Sequence, residues 1–384
     1  MKTIYIEKDS SKTGKDKTAK QSEYAPLDKT LLIITSILIV FGLVFTYSSS
    51  AFDTIGFFRK QIVYDVMGLF IMFFLARYYL RLQQVIKPNI LLFITWGLLI
   101  WALFSAEAAH VHRWINFGFF KLQPSEIAKL VLIIYLSYSL SKKQDIAKNM
   151  RVLTIPIIYT LITIGLVVKG KDLGIPALMF VVSVILFSIA GTKFKYIFYT
   201  FLITLPIIVI ECIIQPYRMK RILTFLTPEE TIGDVGYQLS HSLYAIGSGG
   251  WFGKGLGASE LKLEFLPAAH TDFIFAVFCE EVGMFGAFAL IALFVVLLAR
   301  GLTIARSTEN KFHSYLATGI TLCLCIQAFT NMSVACGLLP TKGLPLPFFS
   351  YGGSSVIVTL AMMGILMNIA RQKNKREVLY PRMR

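Results

Sequence analysis

Residues 273–298 read FIFAVFCEEVGMFGAFALIALFVVLL, an apolar run interrupted by only two charges, Glu280 and Glu281. About 20 apolar residues let an α-helix cross the hydrocarbon core of a bilayer, so this run is long enough to span. Working outward, similar runs occupy Thr30–Ser50, Gln61–Leu80, Ile90–Ser105, Pro124–Leu140, Val152–Val168, Leu173–Ala190, Tyr196–Ile214, Ser314–Gly337 and Gly352–Ala370. The pattern predicts an all-α, polytopic membrane protein of about ten transmembrane helices, with a long extracytoplasmic loop between the seventh and eighth. Composition agrees. The chain is 55% hydrophobic and only 16% charged, where a soluble domain has about a quarter of its residues charged. A soluble Rossmann or TIM-barrel enzyme, a disulfide scaffold and a disordered chain are excluded. All five cysteines lie in or at the ends of apolar segments without a C-x-x-C spacing, and read as small core residues.

The net charge is +16. In a membrane protein, excess Lys and Arg hold loops in the cytoplasm and face anionic lipid, and imply no nucleic acid. An even number of spans puts both termini on one side, and segments on that side carry 25 of the 38 Lys and Arg residues against 12 on the other. Both termini are therefore expected in the cytoplasm. The expected organisation is a basic tail over 1–29 that lacks a cleavable signal, a membrane domain over 30–370, and a second basic tail over 371–384. Four segments then face outward: Glu107–Gln123, Lys169–Asp172, Gln215–Thr271 and Leu338–Tyr351. Chemistry on that side has no access to ATP. The loop over 215–271 is too long for a simple connection. Tyr217–Leu226, with Arg218, Lys220 and Arg221 among apolar residues, suits a short interfacial helix, and Tyr237–Ile246 reads as a second one, ended by Gly247, Gly249 and Gly250. The glycines around Lys254 are no nucleotide loop, because Ser248 and Gly255 stand where a Walker motif needs Gly and Ser or Thr.

Charges inside a span are functional candidates by default. Glu126 and Lys129 sit three apart on one face of the fourth span, able to neutralise each other. Just before them, Arg113, Trp114, Gln123, Pro124 and Ser125 suit an anionic headgroup seated above the helix. Asp272 stands where the long loop enters the eighth span, placed to accept a proton from a sugar hydroxyl, to hold a divalent cation against a phosphate, or to serve only as a helix N-terminal carboxylate favoured by the dipole. Glu280 and Glu281 lie deeper and read as packing or cavity residues that need partners or protons. Prolines 340, 345 and 347 forbid a helix through LLPTKGLPLPFFSYGGSS (338–355), which reads as a stiff re-entrant loop offering Lys342 and the backbone donors of Ser350–Gly353. His110 and His112 lack a third ligand nearby and read as a solvated pair; Asp65 and Asp172 read as cavity or helix-end charges.

RWINFG with QPSE, YQLSHSLYAIGSGGWFGKGLG, FLPAAHTDFIFAV with EE-G, and LLPTKGLPLPFFSYGGSS, in this order after residue 30, resemble the motifs of the SEDS proteins (shape, elongation, division and sporulation). The Thr341-Lys342-Gly343 stretch is more similar to the division member than to the elongation member. The resemblance implies a peptidoglycan glycosyltransferase of the cytoplasmic (inner) membrane that polymerises lipid II at the division septum. It also implies a class B penicillin-binding protein and other division proteins as partners. Asp272 takes the family's loop aspartate, and Glu126 and Lys129 its membrane pair. The expected reaction is inverting transfer, with Asp272 as base or cation holder. Arg113, Arg218, Arg221, Lys254, Lys342 or a bound Mg²⁺ or Mn²⁺ would face the leaving pyrophosphate, and no nucleotide is required. Trp114, Gln123, Ser125, Glu126, Lys129, Gln238, His270, Thr271, Ser350 and Tyr351 complete the expected substrate-binding set. The chain departs from the family pattern at Ala268, at Val111-His112, and around Asp172. Competing readings are a lipid II flippase, the elongation polymerase and a non-enzymatic division scaffold.

Overall fold

The computed structural model describes residues 26–50, 55–105, 113–118, 120–142, 150–196, 198–199, 202, 234–259, 272–341 and 343–379. In chain order the elements are α1 (Lys29–Ser50), α2 (Ile55–Val85), α3 (Pro88–Phe104), β1 (Ile115–Asn116), β2 (Lys121–Leu122), α4 (Pro124–Ser141), α5 (Met150–Lys169), α6 (Gly174–Ile189), α7 (Asp234–Ser248), α8 (Ile274–Ser307), α9 (Lys311–Ala335) and α10 (Gly353–Leu379). The protein is an all-α polytopic membrane protein. Six helices (α1, α2, α5, α8, α9 and α10) are long and apolar enough to cross a bilayer, and α3 and α6 are shorter apolar helices. Nine of the ten expected spans coincide with helices among the described residues, while the seventh, Tyr196–Ile214, falls largely outside them, as does Tyr217–Leu226. The short helix expected at Tyr237–Ile246 is α7, and none of the described residues between α9 and α10, where the three prolines stand, is helical.

The helix ends differ from the hydropathy limits where a helix outruns the apolar run. α10 continues nine residues beyond Ala370 to Leu379, because RQKNKREVL is rich in good helix formers whose charges favour water. Hydropathy marks where water begins, not where the backbone stops turning. α3 and α4 begin on prolines, Pro88 and Pro124, where the missing N–H costs nothing.

Small residues set the packing of the deepest helices. A Cβ on Gly68 would meet Leu360, one on Gly364 would meet the backbone of Met72, and Asn368 Nδ2 donates to the Ala76 carbonyl at 2.8 Å. All three contacts keep an offset of 292 residues, which makes α2 and α10 parallel. α1 and α8 run antiparallel: Asp28 meets Arg300 at one end, and Ser48 Oγ donates to Glu281 at the other.

α8 is broken. Gly283 takes φ 79° and ψ −173°, which interrupts the ladder of i to i−4 hydrogen bonds. The groups released by the break are taken up by the glycine-rich stretch after α7. Lys254 N and Gly255 N donate to the carbonyls of Glu280 and Glu281 at 2.9 and 3.0 Å, while Met284 N and Phe285 N donate to those of Gly250 and Trp251 at 2.9 and 3.2 Å. Backbone meets backbone here, so side chains are excluded. A Cβ on Gly249 would lie 2.2 Å from the Cys279 carbonyl, one on Gly253 2.2 Å from that of Glu281, and one on Gly283 2.4 Å from Gly253 N. Gly253→Ala and Gly283→Ala are each expected to destabilise the protein by about 2 kcal/mol or more. Gly97→Ala, whose Cβ meets nothing within 4 Å, should gain about 0.5–1 kcal/mol of helix propensity. Thermal unfolding of the purified variants in detergent checks this; equal melting of all three would contradict the docking.

Candidate active site at one end of the bundle

Asp272 occupies the turn that leads into α8 and is half-buried. Its position is set from α9, where Asn331 Nδ2 donates to the Asp272 carbonyl at 2.9 Å and to the Leu344 carbonyl at 2.8 Å. One amide thus ties the start of α8 to the proline-rich loop. A Cβ on Gly343 would stand 3.5 Å from Asp272 Oδ2, an ordinary van der Waals contact, so this part of the loop lies directly against the carboxylate. The loop itself is a plug. Leu344, Leu346, Phe348 and Phe349 are buried, and Phe349 packs against Phe45 and Phe278 with ring centroids 6.2 and 5.7 Å away. Ser350 Oγ accepts from Leu346 N at 2.8 Å, and the Phe349 carbonyl accepts from Thr46 Oγ1 at 3.3 Å. Phe348 adopts φ 69°, a conformation costly for a bulky residue. It brings the Phe348 carbonyl so close to α1 that a Cβ on Gly42 would lie 2.2 Å from it.

Glu126 and Lys129 form an ion pair of 2.6 Å with both side chains 1% exposed. Lys129 Nζ also donates to Gln327 Oε1 at 2.7 Å, and Gln327 Nε2 donates to the Pro345 carbonyl at 2.8 Å. Gln327 and Asn331 are one turn apart on α9 and hold successive carbonyls of the same loop.

A second polar group lies between α3, α4 and the α5–α6 turn. Asp172 is buried, and its Oδ1 accepts from the Gly174 and Ile175 amides at 3.1 and 3.4 Å, capping α6. Its Oδ2 accepts from Gln123 Nε2 at 3.4 Å and faces Arg113 at 3.9 Å. Burial pushes the Asp172 carboxyl above its ordinary value, and Arg113 opposes that rise. Arg113 Nε and Ser125 Oγ are buried and have no hydrogen-bond partner among the described residues. Both residues line a narrow cleft together with Leu103, Val167, Gly170 and Asp172. The strands β1 and β2 deliver Arg113 and Gln123 to it. They pair Ile115 with Leu122 and Asn116 with Lys121, around a turn in which Gly118 N donates to Asn116 Oδ1 at 3.0 Å. Ser354, on the first turn of α10, fastens the hairpin: it accepts from Gln123 N at 3.0 Å and donates to the Lys121 carbonyl at 3.1 Å.

The structure therefore gathers Arg113, Gln123 and Ser125 around Asp172, and places Asp272 against the loop that Lys129 reaches through Gln327. Trp114 is half-buried beside Arg113, and Gln238 is half-buried on α7, which Ser242 anchors to the Ala335 carbonyl at 2.8 Å. Tyr351 packs edge-on against Phe57, ring centroids 5.2 Å apart. Lys254 turns to Glu280 at 2.9 Å, which Ser259 also bonds; with Ser48 on Glu281, both deep carboxylates have partners. Asp65 is held by Gln61, which also accepts from Gly352 N. Arg218, Arg221, His270, Thr271, Lys342, His110 and His112 lie outside the described residues. Sequence reasoning passed over Gln327, Asn331 and Ser354. The signal was available: two amides at i and i+4 in an apolar span have nowhere to bond but across the bundle. No cluster of three or more metal-ligating side chains occurs among the described residues. A single carboxylate ligand such as Asp272 is enough for a cation that shares its coordination with substrate phosphates, as Mg²⁺ commonly does.

The family model described as "Cell cycle protein" (FtsW, RodA and SpoVE) matches residues 28–375. A probable peptidoglycan glycosyltransferase FtsW of Geobacter metallireducens is 40% identical over 89% of this chain and 94% of its own length. The stage V sporulation protein E of Bacillus subtilis is 36% identical over 90% of this chain and 97% of its own. Among solved structures, a peptidoglycan synthase complex described as coordinating polymerization and crosslinking has a chain that superposes with TM-score 0.72 at 26% identity, covering 91% of this chain and 99% of that one. The rod shape determining protein RodA of Thermus thermophilus gives TM-score 0.69 at 26% identity, over 91% and 98%.

The Arg113–Asp172 pair makes a pH-dependent prediction. Burial raises the Asp172 pKa, so the stability it withholds is zero at low pH, grows as pH climbs above the unfolded-state value of about 4, and levels off once pH passes the folded-state value. Removing Arg113 raises that pKa further. Arg113→Met is expected to melt below wild type at neutral pH, with the gap closing toward about pH 4, and to lose this pH dependence in an Asp172→Asn background. A gap that is constant with pH would contradict the pairing.

Proposed function

The chain belongs to the FtsW/RodA/SpoVE family of cell cycle proteins, the SEDS family, and from that membership we propose that it is a peptidoglycan glycosyltransferase of the division type. Its substrate is lipid II, the undecaprenyl-pyrophosphate disaccharide-pentapeptide, and its product is a glycan strand at the outer face of the cytoplasmic membrane. The observation that carries the reading is the setting of Asp272. It is the carboxylate at the mouth of α8, set against Gly343 of the proline-rich loop and fixed to that loop through Asn331. The expected topology, with both termini cytoplasmic, puts this end outside.

In the reaction, the 4-hydroxyl of the acceptor sugar attacks the anomeric carbon of the lipid-linked donor. The new glycosidic bond forms as the anomeric C–O bond to pyrophosphate breaks, with inversion, and undecaprenyl pyrophosphate leaves with the electron pair. Asp272 takes the hydroxyl proton. Arg113 and Ser125, whose Nε and Oγ have no hydrogen-bond partner among the described residues, face the negative charge that develops on the leaving group. A divalent cation held by Asp272 and the substrate phosphates would add to that charge stabilisation when bound. The lipid tail stays in the bilayer while the sugars meet water, which suits a site at the end of the helices. The partner is a class B penicillin-binding protein that crosslinks the strands, and the complex works at the septum with other division proteins.

Asp272→Asn is expected to keep its melting temperature and to lose polymer formation from purified lipid II by about 10²- to 10⁴-fold. Full polymer yield from this variant would overturn the assignment. Addition of a chelator to the wild-type reaction separates the two roles of the carboxylate: lost activity restored by Mg²⁺ or Mn²⁺ marks a cation site, and unchanged activity marks a base acting alone.

A further inference from the structure

Lys129 is a buried cation with two partners, and only one of them is its counter-ion. Glu126 neutralises it at 2.6 Å, while Gln327 Oε1 takes a second of its protons at 2.7 Å. The other end of the Gln327 amide donates to the Pro345 carbonyl. An amide can do both because its oxygen accepts while its nitrogen donates. One turn further along α9, Asn331 divides its two amide protons between the carbonyls of Leu344 and Asp272. The loop residues held by these two side chains are the two that follow Gly343, the residue against the Asp272 carboxylate. Prolines at 345 and 347 have no N–H to offer a neighbouring backbone, so the carbonyls of this segment are the handles left for anchoring it.

We propose that Gln327 is a positioning residue, through which the buried Glu126–Lys129 pair fixes the proline-rich loop, and with it the geometry around Asp272. The inference rests on the reading of Asp272 as the reacting carboxylate. It assigns Glu126 and Lys129 an indirect part: they act on the loop and do not touch the sugar. The physical reason for a charge at this depth follows. A neutral anchor on Gln327 would leave its side chain free to choose rotamers, whereas a charge-assisted hydrogen bond from a fully buried ammonium is stronger and defines one orientation of the amide. That orientation aims Nε2 at Pro345.

The test separates positioning from charge neutralisation. Gln327→Glu preserves an acceptor for Lys129 but no longer donates to Pro345, and Gln327→Met removes both contacts at similar volume. Positioning predicts that both variants lower kcat by about 10- to 100-fold with KM for lipid II changed far less. It also predicts that the backbone amides of residues 343–352 exchange hydrogen faster than in wild type. If Gln327 only satisfies Lys129, Gln327→Glu keeps wild-type rate and exchange, and the proposal falls. The double variant Glu126→Leu with Lys129→Met replaces the ion pair by apolar side chains, an exchange that folds elsewhere without loss of stability. It is expected to fold and to show the same faster exchange in 343–352; unchanged exchange there would overturn the link from the pair to the loop. Hydrogen exchange is read on protein without substrate, so it decides the loop contact even if the polymerisation reading fails.

Discussion

Inside a bilayer no water is available to satisfy a backbone N–H or C=O, so irregular backbone survives only where protein supplies the partners. This chain breaks regular structure twice near one end of the bundle, at Gly283 in α8 and through the loop between α9 and α10. Each break is matched by a dedicated set of donors and acceptors. The glycine-rich stretch after α7 answers the first with four backbone hydrogen bonds. Gln327, Asn331, Thr46 and the hydroxyl of Ser350 answer the second. Several long sequence motifs thereby acquire one explanation. They are places where two stretches of backbone approach too closely for side chains, or where a side chain substitutes for water.

The same constraint creates a rigid site. Asp272 stands at the entry to α8, about three turns before the break at Gly283, and its backbone is held by an amide that also holds the opposing loop. Glycosyl transfer from a pyrophosphate donor asks little of the protein beyond placing a base, a nucleophile and positive charge with small tolerance. A bundle end in which loops are bonded to helices at several points meets that need better than mobile loops would. The Arg113 cleft is built on the same plan, since Ser354 of α10 fastens the hairpin that carries Arg113 and Gln123.

Much of this was legible in the sequence, and the residues that were not share a cause. Apolar length found the spans, the three prolines found the loop, and a charge at the start of α8 found Asp272. Glu126 and Lys129 were visible as a pair because i, i+3 spacing is local. Their connection to the loop runs through Gln327, 198 positions from Lys129, and no local pattern encodes a partner at that distance. The break at Gly283 was hidden by composition: EEVGMFG sits inside an apolar run long enough to be a continuous helix. Lys254 read as a free cation for the leaving group, but it bonds Glu280, a carboxylate whose need for a partner was apparent while the partner's identity was not. The hairpin Ile115–Leu122 escaped because two-residue strands leave no periodicity.

A structure of Asp272→Asn with lipid II trapped in both the donor and acceptor positions would test the central claim most directly. The account predicts the acceptor 4-hydroxyl within roughly 3 Å of the residue 272 side chain, and the donor pyrophosphate in the cleft beside Arg113 and Ser125. Sugars seated away from residue 272, with that side chain turned into the protein, would contradict it.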